Sequence, residues 1–460
     1  MKKSFLIIGV FILILVGCTH FKDKEKISDQ FTPIIDNNGA DPWLLKNDNY
    51  YYYTKTTGND VTLWRSEELS TVVAGERKVI WKLPSEFESA WAPELHYLDD
   101  QWIVYVALNK GGETHRMYAL TNSSKDPYQG EWKLQAIAGM TEHFAIDGTI
   151  LETNQGRYFI WSGWEGYENV AQNLYIAPME GIAQISGERQ LLSRPEFEWE
   201  KKQTPLINEG PEIFIAGDTI NLVYSASGSW DDDYSLGLLT LNVKDNPLDV
   251  KRWSKESKPI MAKTDFVFGP GHNGFVRDKE GKPWIVYHSA RWSHSGWERS
   301  IRIQPLSLKG EKIDTMLPLV SEQYQRLPSG DLKRQIYSAI EAKQSGDFKI
   351  IEDSKGESLK SIVGFANRED ELTFNVNVKK SGDYIFAVYA KTVDNYTPDN
   401  LVPVLMTVDG EPYSTLLPPS DDYSPLYQKV SLKKGEHIVT ISSEVGVDEI
   451  AINRLEVIGD

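Results

Sequence analysis

Three acidic residues stand in closely similar surroundings: Asp41 in ADPWLL, Asp147 in IDGTIL and Glu209 in EGPEIF. Each is followed by Pro or Gly, which excludes a helix interior and places the acid on a bend ahead of an apolar run. Three carboxylates brought together cost free energy unless their repulsion is used or a cation relieves it. Hydrolysis of a glycosidic bond uses such a set. One acid must stay protonated to donate to the leaving oxygen, while another must be ionised to activate water. Burial and a neighbouring negative charge both raise the donor's pKa. Taken singly, each acid has a plainer reading: Asp41 before Pro caps a turn, Asp-Gly at Asp147 is a common turn dipeptide, and Glu209 pairs with an arginine. Their joint placement carries the chemistry.

The elements that must position them form a repeat. A polar residue precedes an apolar strand, a turn follows, and then comes a strongly aromatic strand. The copies begin ADPWLL/YYYYTKT, APELHYL/QWIVYVA, IDGTIL/RYFIWSG, EGPEIFI/INLVYSA and GHNGFV/PWIVYHS. Their leading residues are Asp41, Glu94, Asp147, Glu209 and His272, spaced 94−41=53, 147−94=53, 209−147=62 and 272−209=63. VTLWRS, HRMYALT, NLYIAPM, SLGLLTL and IRIQPLS supply third strands. A repeat of this length built from three or four strands suggests propeller blades, since one blade cannot bury both faces alone. The first strand of each blade lies nearest the axis, so the leading polar residues converge at one mouth of the channel. Unrelated hairpins that only look alike are the alternative.

The repeat ends near QPLSLKGEKI, and all 14 Trp lie at or before Trp297. From about Gln335 the chain alternates apolar and polar residues between Gly and Asp turns, as in a β-sandwich. The expected architecture is all-β: a five-bladed β-propeller over 33–328, then a sandwich over 335–460. Residues 1–18 read as a signal peptide ending in LVGC, which resembles a bacterial lipobox with Cys18 as the lipidated residue. Residues 19–32 read as a flexible tether. Cys18 is the single cysteine, so no intrachain disulfide is expected. The expected location is the cell envelope, with membrane contact through the N-terminal lipid only and a monomeric chain. A net charge of −17 argues against nucleic acid and disfavours polyanionic substrates, while neutral polymers are compatible.

GADPW, WAPELH, FAIDGTI, NEGPEI and GPGHNGF, in this order, resemble glycoside hydrolase family 43 over about residues 33–325. The resemblance implies a five-bladed propeller that hydrolyses with inversion. It makes Asp41 the general base, Asp147 the residue that orients the acid and modulates its pKa, and Glu209 the general acid. His272 matches a histidine near the axis, commonly at a bound calcium or sodium ion; imidazole is a poor ligand for hard cations, so a hydrogen-bonded channel histidine stands beside that reading. No cofactor is implied for the chemistry itself. Arg291 in YHSAR is implied to reach a sugar hydroxyl or an Asp, with a surface ion pair as the alternative. Trp91 in SAWAPE is expected to line the sugar subsite, with core packing as its alternative, and Trp164 and Trp230 to build the rim.

Invertase-like propellers open with NDPNG, where this chain has GADPW, so a fructosidase is not expected. HRMYALTNSSKDPYQGEW, ISGERQLLSRPEFEWE and SASGSWDDDYSLGLLTL look more like α-L-arabinofuranosidase and exo-arabinanase members than typical β-xylosidases. The implied activity is release of α-L-arabinofuranosyl residues from arabinan- or arabinoxylan-type polysaccharide or oligosaccharides. A β-xylosidase of the same family is the alternative. A glycan-binding lipoprotein without activity is the competing class, but such a binder would be expected to lose at least one of the three acids. IEAKQSGDF, GDYIFAVYAK, LPPSDD and DEIAINRLEVI resemble carbohydrate-binding sandwich modules of families 6 and 35. With no Trp there, only tyrosines such as Tyr423 or Tyr427 could offer a sugar platform. Glu341 and Asp448 match places where such modules hold calcium, or are charged turn residues. A structural accessory is the other reading of the module.

Overall fold

The computed structural model describes residues 26–459, apart from 141–142, 354, 356–358, 394–396 and 444–445. Cys18, the signal segment and the first part of the expected tether lie outside the described residues. The rest of that tether is a correction. Lys26–Ser28 pairs with Arg334–Ser338, and Gln30–Phe31 pairs with Gln325–Arg326. Phe31 is buried against Trp284, so a segment that reads as polar is tied down by backbone pairing and one aromatic anchor.

Five blades of antiparallel strands surround the axis. Their innermost strands are Trp43–Asn47, Ser89–Leu98, Ala145–Thr153, Leu206–Ala216 and Phe268–Arg277 (blades I to V). Three blades are separate four-stranded sheets, while blades III and IV are joined by parallel pairing of Ala171 and Gln172 with Leu206 and Ile207. The ring closes with chain from its start, because Ile34–Asp36 is the outer strand of blade V, paired with Arg299–Pro305. The aromatic second strands are buried on both faces, which is why they read as apolar runs. In Tyr50–Thr54, Tyr51 and Tyr53 pack with Trp284 and Val286 of blade V, while Tyr52 packs with Trp102 and Val104 of blade II. In Gln101–Asn109, Ile103 and Tyr105 face blade III instead.

The innermost strands share a β-bulge. Trp91 opposes Ala107 while Glu94 opposes Tyr105; Ile146 opposes Ser162 while Thr149 opposes Ile160; Glu209 opposes Ser225 while Glu212 opposes Val223; Gly271 opposes His288 while Gly274 opposes Val286. Each bulge inserts one extra residue, and a left-handed residue sits in it: Ala92 (φ 43), Asp147 (φ 52), Gly210 (φ 52) and His272 (φ 46), matched in blade I by Asp41 (φ 54). This corrects the register of the repeat. Its equivalent positions are 41, 92, 147, 210 and 272, so Glu94 lies two residues past the bulge residue and Glu209 one before it. Bulges re-aim side chains, and left-handed non-glycine residues concentrate at functional sites.

The C-terminal domain is two packed sheets. One holds Arg334–Ser338, Lys349–Asp353, Leu359–Phe365, Gly382–Thr392, Ser424–Leu432 and Val447–Ile458; the other holds Lys343–Ser345, Glu371–Val378, Val402–Val408, Glu411–Leu417 and Gly435–Ser442. Phe374, Val376, Phe386, Val388, Ile441 and Leu455 fill the space between them. The sandwich docks on the propeller through buried charge. Arg302 pairs with Asp422, and Arg454 donates to Thr32 Oγ1 at 3.0 Å while holding Glu456 at 2.7 Å. Tyr423 is fully buried and its main-chain N–H donates to Ser321 Oγ; the Tyr427 hydroxyl donates to Ser70 O at 3.4 Å. Neither tyrosine is available as a sugar platform, because the docking face uses both. Glu341 lies exposed on a single 3-10 turn.

Candidate functional site

The bulges bring Asp41, Asp147, Glu209 and His272 to one mouth of the channel, where they line a cavity of about 900 Å³. The Asp41 carboxylate accepts the Thr56 hydroxyl at 2.6 Å on Oδ2 and faces His272 Nδ1 at 3.1 Å on Oδ1. Thr56 Oγ1 in turn accepts the Ala92 N–H at 2.7 Å, so the bulge of blade II helps to hold the acid of blade I. The Asp41 N–H donates to His288 Nδ1 at 3.1 Å, which places the His288 proton on Nε2. Burial and the nearby Arg299 push the His288 imidazolium well down, so this ring is neutral.

Asp147 Oδ2 accepts the Gly210 N–H at 3.0 Å, the amide directly after Glu209. Burial pushes the Asp147 carboxyl up to about 7; His272 opposes this, while Glu209 and Asp41 add to it. Glu209 accepts the Tyr234 hydroxyl at 2.8 Å on Oε1 and Gln172 Nε2–H at 2.9 Å on Oε2. Its pKa is also raised, by burial first, with Tyr234, His272 and Gln172 pulling the other way. Ser225 links these groups: its Oγ accepts the His272 N–H at 2.8 Å and its hydroxyl bonds Tyr234. Gly271 is required here, because a Cβ would lie 2.1 Å from the Tyr234 ring. Behind Glu209, Asn208 is pinned by Ser162, Ser193 and the fully buried Glu200, which Tyr224 and Lys255 satisfy.

His272 and the buried Arg299 are the basic groups beside the acids. Burial lowers the His272 pKa, yet Asp41, Asp147 and Glu209 together outweigh burial and leave it raised. Its Nδ1 is committed to Asp41, and among the described residues no group of three or more His, Cys, Asp or Glu is arranged to hold a metal ion. The acids thus hold the His272 imidazole toward its protonated form, beside the guanidinium of Arg299.

Glu94 sits one level deeper than its place in the repeat suggested. It hydrogen-bonds Glu212, its bulge equivalent in blade IV, and its Oε2 lies 3.0 Å from His96 Nε2. Burial and the adjacent Glu94 push the Glu212 carboxyl well up, so Glu212 carries the proton of this pair. A second cavity, of about 560 Å³ and lined by Leu45, Ile213, Ile215 and Phe275, contains none of the acids of the mouth.

Of the expected sugar contacts, Trp91 and Trp230 line the cavity. Trp91 is 38% exposed and lies flat on His115, with centroids 3.8 Å apart. Trp164 does not reach the cavity. It is buried and stacked at 4.5 Å on Phe144, whose ring takes the lining position, because the second strand of blade III extends through Trp164 and turns its indole into the blade interface. Arg291 is also displaced from its expected role. It is 2% exposed and paired with Glu298, and the arginine at the cavity is Arg299, set over the Tyr234 ring. Sequence reasoning missed Thr56, Gln172, Arg299 and Trp297. Only Trp297 carried a signal, since HSGWER, like WSGWEG and SGSWDD, sets a Trp shortly after Ser-Gly at or beyond the end of a blade's second strand.

The profile of Glycosyl hydrolases family 43 matches residues 31–312. An extracellular exo-α-(1→5)-L-arabinofuranosidase of Streptomyces avermitilis is 31% identical over 62% of this chain, and the chain spans 62% of that relative's own length. The crystal structure of an α-L-arabinofuranosidase from Lactobacillus brevis superposes with a TM-score of 0.59 at 28% identity, covering 64% of this chain and 98% of its own. An exo-β-1,3-galactanase from Phanerochaete chrysosporium shares the fold over 93% of this chain and 100% of its own, with a TM-score of 0.52 at 14% identity.

Proposed function

We propose that this chain, which belongs to Glycosyl hydrolases family 43, is an inverting glycoside hydrolase that releases α-L-arabinofuranosyl residues from neutral arabinose-containing polysaccharide or oligosaccharides. One observation carries the reading. Asp147 binds the amide that follows Glu209, and burial raises both carboxyls in front of the Thr56-bound Asp41. That arrangement separates acid from base within one cavity.

In a single displacement, Glu209 gives its proton to the glycosidic oxygen as the bond to the anomeric carbon breaks. Asp41 takes a proton from the water that attacks that carbon from the opposite face. The hydroxyl of Thr56 holds one oxygen of Asp41 in place, and His272 Nδ1 faces the other at 3.1 Å. After one turnover Glu209 is ionised and Asp41 protonated, and exchange with solvent restores both. The names of the Streptomyces and Lactobacillus relatives support arabinose as the sugar. The lipobox-like LVGC supports export and anchoring through Cys18.

The test is release of 4-nitrophenol from the α-L-arabinofuranoside and the β-D-xyloside, with Glu209→Ala as control. Preference for the arabinofuranoside is expected. Preference for the xyloside would retain the mechanism and replace the sugar. Turnover of the arabinofuranoside by Glu209→Ala at the wild-type rate would overturn the assignment of the acid.

A further inference from the structure

Trp297 is 68% exposed on a rim that is otherwise well built. With Trp230 it forms an aromatic patch that lines the cavity, the kind of surface that marks a ligand site. Its Nε1–H donates to Ser229 Oγ at 3.2 Å, and its ring meets Trp230 edge-on, with centroids 6.3 Å apart at 74°. The indole is held in place while much of its surface stays open to solvent.

The supports of this loop are internal and rigid. Arg291 N–H donates to Glu298 O at 3.0 Å, and the two side chains form a buried-to-rim ion pair that closes the loop at its base. Asp232, from the rim loop of blade IV, accepts Ser293 Oγ–H at 2.6 Å and the His294 N–H at 2.8 Å, which joins the two rim loops. The sandwich adds the Asp421 N–H, which donates to Arg291 O at 3.0 Å. Arg291 is thus a positioning residue for the loop.

The platform also lies on a definite side of the chemistry. Glu209 and Tyr234 belong to blade IV, as does the loop that carries Trp230. A leaving oxygen must approach the proton donor, so the leaving sugar emerges over this side of the mouth. Trp91 and His115 belong to blade II, which borders neither blade IV nor blade V in a ring of five.

We propose that Trp297, braced by Trp230, is the stacking platform for the sugar ring on the leaving-group side of the scissile bond, and that it makes the site selective for oligosaccharides over glycosides with a small aglycone. This rests on the hydrolase reading given above. The test compares kcat/KM for α-1,5-arabinotriose and methyl α-L-arabinofuranoside in the wild type, Trp297→Ala and Trp297→Phe. The Ala variant should lower the trisaccharide-to-methyl ratio about tenfold, or about 1.4 kcal/mol, mainly through KM, and Phe should restore most of it. An unchanged ratio, or an equal fall for both substrates, overturns the proposal. Calorimetric titration of the same proteins, each also carrying Glu209→Gln so that the sugar is not turned over, with arabinotriose, xylotriose and β-1,3-galactotriose separates the two levels of inference. If only xylotriose or galactotriose binds, the arabinose reading fails, yet weaker binding by Trp297→Ala still supports the platform. Equal affinity of wild type and Trp297→Ala for the trisaccharide that binds, or no binding of any of them by the wild type, overturns it.

Discussion

Replacing Tyr234 with Phe removes one hydroxyl and keeps a ring that packs on Gly271 and His288. That hydroxyl donates to Glu209 at 2.8 Å, and Ser225 holds it in that direction. A hydrogen bond to an ionised group is worth about 1.5–3 kcal/mol, and one to a neutral group about 0.5–1.5 kcal/mol. The difference, about 1–1.5 kcal/mol, favours ionised Glu209 in the wild type. At about 1.4 kcal/mol per pH unit, the alkaline limb of kcat/KM should move up by about one unit in Tyr234→Phe. Because Glu209 and Asp147 titrate as neighbours, the limb belongs to the pair and the full unit is an upper figure. The rate below the limb should fall less than about tenfold, since Gln172 still holds Oε2. The assay is a pH series with an aryl glycoside of a poor leaving group, repeated with the dinitrophenyl glycoside, which leaves without a proton. A limb that stays in place or moves down in Tyr234→Phe refutes the reasoning, as does an alkaline limb that persists unchanged with the dinitrophenyl substrate.

Further outcomes follow from the same contacts. Glu212→Gln keeps the shape and the hydrogen bond to Glu94 while removing a buried acid. A raised native pKa adds stability that is complete below the ordinary carboxylate value and is lost as pH rises through the native value. Gln should therefore flatten the fall in Tm between acid and pH 8, and a Tm at pH 8 well below wild type would argue against a protonated Glu212. Asp422→Ala strands Arg302 in the interface and should destabilise the chain by about 3–5 kcal/mol, read from denaturant unfolding; a loss under about 1 kcal/mol would mean that the sandwich docks without this pair. Gly271→Ala forces the Tyr234 ring aside and should cost about 1–3 kcal/mol. It should also cut activity far more than Tyr234→Phe does, and equal activities would show that the ring's position is immaterial.

The acids were legible because their chemistry is local. Asp-Pro, Asp-Gly and Glu-Gly-Pro each announce a bend ahead of a strand, and five aromatic strands buried on both faces leave an unmistakable apolar signature. The order of the repeat, its count and the break near residue 330 follow from that pattern. The bulge register was not legible. Polar residues at 94 and 209 attract the eye, while the true equivalents are Ala92 and Gly210, which only the backbone pairing reveals. Arg291 and Arg299 illustrate the same limit. Both are buried arginines on one stretch of blade V, and the ion pair with Glu298 at the base of a loop decides which of them is a brace and which meets the cavity. Tyr423 and Tyr427 offer a sugar surface by residue type alone, because the module has no Trp, and the docking of the sandwich on the propeller uses both. By itself, then, the sequence determined which residues can do chemistry and which strands are buried, since both are properties of residue type and short spacing. Tertiary structure alone decided which groups share a proton, a charge or a surface, because those depend on distances across blades between residues far apart in the chain.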